Sequence, residues 1–181
     1  MEELSLILRL CLGSIFIGTF VSKIRDFRSH IDIIRKYQIL PENSIVFLAY
    51  IEIAFELVIG IGIILGFVVN LMSLLAAFLL SLYTLAIIIN LIRRNTDFNC
   101  GCGGVLGDYK LSWNLVIRNV LLLFIAIFIY YMPHQIGTVD EYLKVKDISI
   151  MFNETVICIA TTFVLIYVFI FILRGFIRLN N

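Results

Sequence analysis

Two thiols separated by a single glycine, Cys100-Gly101-Cys102, lie in a polar stretch between apolar runs. A pair this close points to redox chemistry. It closes to a disulfide with loss of two protons and two electrons, and it reopens by exchange with another thiol. The ring so formed is very small, and strained disulfides exchange more readily than structural ones. Gly101 gives the backbone the freedom that such a ring needs. Reactivity requires a thiolate, which Arg93, Arg94, Lys110 and the N-terminus of the following helix favour electrostatically. In a cytoplasmic loop the pair rests mostly reduced, against a glutathione poise of about −220 to −320 mV. Two other readings stand beside this one. The cysteines are ordinary loop residues with glycines for turning, or they bind a metal, for which two thiolates alone leave a tetrahedral shell incomplete.

Further candidates lie inside the apolar runs. Cys11 and Cys158 both fall near the outer ends of their spans, where they form either a second redox station or plain packing residues. Four cysteines allow three pairings, and spacing does not choose among them. Glu52 and Glu56 are four residues apart on one helix face, and carboxylates in a membrane span are costly and turn inward. They act as proton acceptor or quinone contact, or they form a structural pair with Arg9, Lys23 or Arg118, or with Asn90 and Tyr83. Arg118 stands about one turn into its span, able to reach the headgroups or turn inward. His30 and His134 read as ordinary polar loop residues. No phosphate-binding loop, metalloprotease helix or serine triad is present, and no metal site is expected.

The elements that position these residues follow from composition. Of 181 residues, 61% are hydrophobic and 15% charged, and the mean hydropathy is +1.04. This excludes a water-soluble enzyme and defines an all-α integral membrane protein. The net charge of +1 gives no reason to expect a nucleic-acid partner. Spans are predicted at about Leu4 to Val21, Ser44 to Val69, Leu71 to Ile92, Trp113 to Met132 and Thr155 to Leu173. The first reads as a retained span, not a cleaved signal peptide, since it opens with Glu2-Glu3 and lacks a small-x-small site. The second and third form a tight hairpin. Between His30 and Leu40 apolar residues recur at helical spacing, predicting an interfacial amphipathic helix that ends at Pro41. Residues 1–132 thus make a four-helix membrane domain with the cysteine loop at 94–112, and 133–181 an outer loop, with room for a short surface helix, and a fifth span. Trp113, Tyr130 and Tyr131 mark span ends. Lys and Arg concentrate in the first loop, the cysteine loop and the C-terminus, which puts the N-terminus outside and the cysteine pair at the cytoplasmic face of a bacterial inner membrane.

Several patterns in order along the chain resemble the MauE family of methylamine-utilisation membrane proteins, grouped with DoxX-like proteins. These are Arg9-Leu-Cys-Leu-Gly13 with Phe16, Gly18 and Lys23; Tyr37-Gln-Ile-Leu-Pro41; Glu56 followed by Gly60; Asn90-Leu-Ile-Arg93 with Asp97; Cys100-Gly-Cys102 with Gly104; and Trp113 with Arg118-Asn119. The likeness covers about Arg9 to Leu123. Gly103 departs from it, standing where the family usually carries an aromatic residue. The resemblance implies a helical membrane bundle that supports thiol-disulfide exchange with a thioredoxin-like partner, in the maturation of an exported protein. On that reading Cys100 and Cys102 are catalytic and Glu56 assists with protons. A non-catalytic scaffold subunit, or a quinone-coupled DoxX-like oxidoreductase subunit, are the alternatives.

Overall fold

The structure, a computed structural model, describes residues 2–101, 109–132, 138–145 and 156–164. Hydrocarbon offers no hydrogen-bond partners, so an apolar chain that crosses it satisfies its backbone internally, as helices. Four helices have the length and apolarity to span a bilayer: α1 (Glu2–Arg25), α3 (Glu42–Leu65), α4 (Val69–Ile92) and α5 (Trp113–Tyr131). At helical rise, 24 residues extend about 36 Å, enough for a hydrocarbon core of roughly 30 Å. Two shorter helices join them, α2 (Phe27–Tyr37) and α6 (Val139–Val145). No strand occurs among the described residues, and one isolated bridge joins Asn99 to Lys110.

Only Asp26 separates α1 from α2, and its carboxylate accepts the Ser29 N–H at 3.4 Å to cap the new helix. α2 stops at Gln38, in the left-handed region at φ 51°. Arg35 then ties it to the first turn of α3, donating from Nε to both Glu42 oxygens at 3.1 Å and from a terminal nitrogen to Asp32 at 2.7 Å.

α1 packs closely along α3, and α4 along α5, whereas α3 and α4 touch more lightly despite their tight connection. The α1–α3 crossing depends on Gly13 and Gly60. A Cβ on Gly13 would stand 3.0 Å from the Gly60 carbonyl oxygen, and one on Gly60 3.2 Å from that of Gly13, so small residues set the approach. Leu12, Phe16, Ile59, Ile63, Ala76 and Ala126 fill the core around it. At the end distant from the cysteine loop, Arg9 is fully buried and donates from Nε to the Ile63 carbonyl at 3.1 Å, placing a cation on the α3 C-terminus. Trp113 and Tyr131, both exposed, mark the two ends of α5 about 27 Å apart at helical rise, as an interfacial aromatic belt requires.

The four expected spans agree with α1, α3, α4 and α5 to within a few residues. Three boundaries move. The second span stops at Leu65, where Gly66 at φ 68° turns the chain, and Val69 opens α4 instead of closing α3. α1 runs on to Arg25, since Lys23 is neutralised inside the bundle and does not end the span, and α2 begins at Phe27, three residues before His30. After α5, α6 stands where the short surface helix was expected. Of the expected fifth span, 156–164 is helical and the remainder lies outside the described residues.

Candidate functional site

The C-terminal ends of α1 and α4, the N-terminal ends of α3 and α5, and α2 meet at one end of the bundle, and the cysteine motif is built there. Asn90, on the last turn of α4, is fully buried. Its amide donates to the Tyr37 carbonyl at 3.3 Å and to the Ala86 carbonyl at 3.1 Å, and its oxygen accepts from Asn95 at 3.0 Å. Asn95 also donates to the Lys36 carbonyl at 2.9 Å, and Arg93 to that of Gln38 at 3.3 Å. Three polar side chains therefore lash α4 to the end of α2. Asn90 is a positioning residue for Tyr37, whose hydroxyl donates to the Cys100 carbonyl at 3.1 Å.

The Cys100 N–H in turn donates to the Tyr109 carbonyl at 2.9 Å, and Leu111 N–H to that of Phe98 at 3.3 Å. Gly101 follows at φ 75°, a conformation that glycine adopts without strain, with its α-carbon face against Ile33 of α2. Cys100 is 6% exposed, packed among Ile87, Phe98, Leu111, Leu115 and Val116, and it is disulfide-bonded. The structure thus holds the oxidised form of this cysteine. Cys102 lies outside the described residues. Cys11 is half-buried, Cys158 exposed, and both are free thiols.

Below the cysteine motif lies a buried ionic cluster. Lys23 donates to Glu52 and, at 2.7 Å, to Glu56 Oε1, and its ammonium sits 4.8 Å from the Tyr83 ring centroid. The Tyr83 hydroxyl is 2.8 Å from Oε1 of both carboxylates, with one proton to donate. His30 Nε2 faces Glu52 Oε2 at 3.3 Å. Glu56 is 1% exposed and Lys23 5%. Ions so far from water persist only with such close partners. Two carboxylates face one ammonium, and the Tyr83 hydroxyl and the His30 imidazole complete the polar contacts around them.

The cluster and the cysteine motif share a cavity of about 420 Å³, to which Lys23, His30, Glu52, Tyr83, Cys100 and Gly101 all contribute. Glu56 stands behind this wall, bonded to Lys23 and Tyr83, so Glu52 and Tyr83 are the groups presented to the cavity. Of the partners considered for the glutamates, Lys23 and Tyr83 are the ones used. Arg9 is engaged at the other end, Asn90 holds α2, and Arg118 is half-buried on α5.

His30 corrects the sequence reading. It is a buried helical residue against Glu52, not a polar loop residue. The signal was present, since His30, Ile33, Ile34 and Tyr37 are spaced i, i+3, i+4, i+7 and form the apolar face of α2. Lys23 likewise continues a stripe of buried positions on α1, Arg9, Leu12, Phe16 and Thr19, at alternating steps of three and four. His134 lies outside the described residues.

The family model described as methylamine utilisation protein MauE matches residues 1–132. The chain belongs to the MauE family. Curated relatives called methylamine utilization protein MauE, from Paracoccus denitrificans and Paracoccus versutus, are each 28% identical to it over 120 residues. The aligned region covers 66% of this chain and 64% of each relative, a little under two thirds of their length. No solved structure matches. The MauE match ends where α5 ends, so α6 and the helical stretch 156–164 lie beyond it. Within it, the residues that carried the resemblance have structural work: Gly13 and Gly60 at the α1–α3 crossing, Lys23 and Glu56 in the ionic cluster, Asn90 and Tyr37 beside Cys100.

Proposed function

We propose that this MauE-family protein is a membrane redox protein that exchanges disulfides with a thioredoxin-fold partner through Cys100 and Cys102, in the maturation of an exported protein. Supporting this reading above all is the disulfide-bonded Cys100, clamped by Tyr37 and Tyr109 at the wall of a cavity that it shares with a buried proton-carrying cluster. The relatives' names place those proteins in methylamine utilisation, and a role of the same kind is proposed here. The Lys and Arg distribution supports a cytoplasmic cysteine end and an outer N-terminus in a bacterial inner membrane.

In the exchange, a thiolate of the partner attacks one sulfur of the pair, the S–S bond breaks, and the other sulfur leaves as thiolate. Because Cys100 is buried, the attacked sulfur is that of Cys102 and the leaving sulfur that of Cys100. Glu52 accepts the proton of the attacking thiol and returns it to the Cys100 thiolate, with Tyr83 donating its hydrogen bond to Glu52 and Glu56 holding Lys23 and Tyr83 in place. Cys100→Ser is expected to accumulate a mixed disulfide between Cys102 and its partner, seen on non-reducing gels and removed by dithiothreitol. Cys102→Ser is expected to trap nothing. The same burial favours a second reading, a scaffold that docks an oxidoreductase with its cysteines idle. If the double serine variant matures the exported protein at the wild-type rate, the scaffold reading replaces exchange.

A further inference from the structure

The cavity is graded in polarity. Phe55, Phe78 and Leu82 belong to its wall and are also exposed on the outer faces of α3 and α4, near the middle of two membrane-spanning helices. The cavity therefore reaches the outer surface of the bundle between α3 and α4, which pack lightly, at the depth of the hydrocarbon. The deep wall, by contrast, is formed by buried His30 and Lys23, with half-buried Tyr83 and Glu52. His30 is 6% exposed, and its Nδ1 has no hydrogen-bond partner among the described residues. An orphaned buried nitrogen is costly unless a ligand or water completes it.

An occupant of this site enters through lipid, carries a long apolar part, and ends in a compact head that exchanges hydrogen bonds. The head is uncharged, because an anionic headgroup would confront Glu52 and Glu56 with only one ammonium to offset three negative charges. About 420 Å³ lies in the range of small-molecule sites and holds a substituted aromatic ring with the first units of a chain. We propose that the cavity binds a membrane quinone, its ring between His30 and Tyr83 beside Cys100 and its isoprenoid tail leaving between α3 and α4. Resting on the exchange reading above, this names the electron acceptor of the same site. The Cys100 and Cys102 S–H bonds break and an S–S bond forms. The two electrons and two protons released pass to the two ring carbonyl oxygens, which become the hydroxyls of a quinol.

The test uses the full chain in nanodiscs, reduced with dithiothreitol and freed of it, with decylubiquinone as probe. Binding is read by calorimetry and by photolabelling with an azido analogue, and thiol oxidation by maleimide gel shift against quinol absorbance. The expected result is saturable binding, labelling of α3 and α4 peptides, and one quinol formed per disulfide. His30→Leu and, independently, Ala86→Trp in the cavity wall should weaken binding about tenfold or more, with circular dichroism and gel filtration reporting whether each variant is folded. Cys100→Ser should bind decylubiquinone but form no quinol. Absence of saturable binding to the wild type, binding unaltered in both folded cavity variants, or binding without thiol oxidation each overturns the inference. Reduction of oxidised thioredoxin by the same reduced wild-type preparation, measured without quinone, shows whether the exchange reading stands when the quinone fails, since the Cys100 and Cys102 thiols then close to a disulfide as that of thioredoxin opens to two thiols.

Discussion

At the residue scale, the protein keeps Lys23, Glu52, Glu56, Tyr83 and His30 together in a place where each alone would be expensive. The ammonium is the keystone, since it contacts both carboxylates and the phenol ring. Lys23→Met should cost about 3–5 kcal/mol, because it leaves two buried carboxylates facing each other without a cation. Thermal unfolding in detergent would register this as a large loss of stability, and adding Glu56→Gln should recover part of it. An unchanged midpoint in Lys23→Met would mean that the cluster contributes nothing to the fold. The sequence made the cysteine pair and the two glutamates legible, because a thiol pair and a carboxylate in an apolar span are rare and chemically expensive. It made Lys23 and His30 harder to place. Both sit next to solvated charges in sequence, Lys23 before Arg25 and Asp26 and His30 after Arg28, and only the three-and-four stepping of the buried stripes separates them from those neighbours.

At the element scale, two contacts fix the site. Gly13 and Gly60 let α1 lie directly on α3, which brings Lys23 against Glu52 and Glu56. Gly13→Leu forces these helices apart, and overpacking of this kind costs about 1–3 kcal/mol. The effect should appear as lower stability together with loss of the Lys23 pairing, seen as increased reactivity of Lys23 towards amine-directed labels. Asn90 fastens α2 to α4 by a hydrogen bond to the Tyr37 carbonyl that no apolar residue replaces. Asn90→Leu is expected to speed amide hydrogen exchange in residues 27–37 while leaving the cores of α4 and α5 protected, and equal protection across α2 would show that the lashing is dispensable. Long apolar runs made the spans readable in sequence. The position of α2 was not readable, because an amphipathic helix can rest at a lipid interface or fold onto its own bundle with the same pattern. The choice is made by Asn90, Arg93 and Asn95, whose partners are backbone carbonyls at the end of α2, remote in sequence, and by Arg35, which ties α2 to the first turn of α3.

At the scale of the whole molecule, charge and chemistry are divided between the two ends of the bundle. One end holds α2, the cysteine motif and the ionic cluster; the other holds the α3–α4 turn, Arg9 and α6. The orientation proposed from the Lys and Arg count predicts that a cysteine placed at Ser44 reacts from the cytoplasmic side and one at Asn70 from the outer side, in a background lacking native thiols. Impermeant maleimide applied to intact cells checks this, and the reverse labelling pattern would invert the sidedness of the exchange. The central claim is that the Cys100–Cys102 pair turns over between dithiol and disulfide in contact with a partner. Acid quenching of growing cells, alkylation with mass-distinct maleimides before and after reduction, and mass spectrometry of the 94–112 peptide measure that state directly. The account predicts a mixture of oxidised and reduced pair that shifts when cellular thiol status is changed, with a mixed disulfide in Cys100→Ser. A pair that keeps one redox state under every condition, with serine variants that function normally, would contradict it.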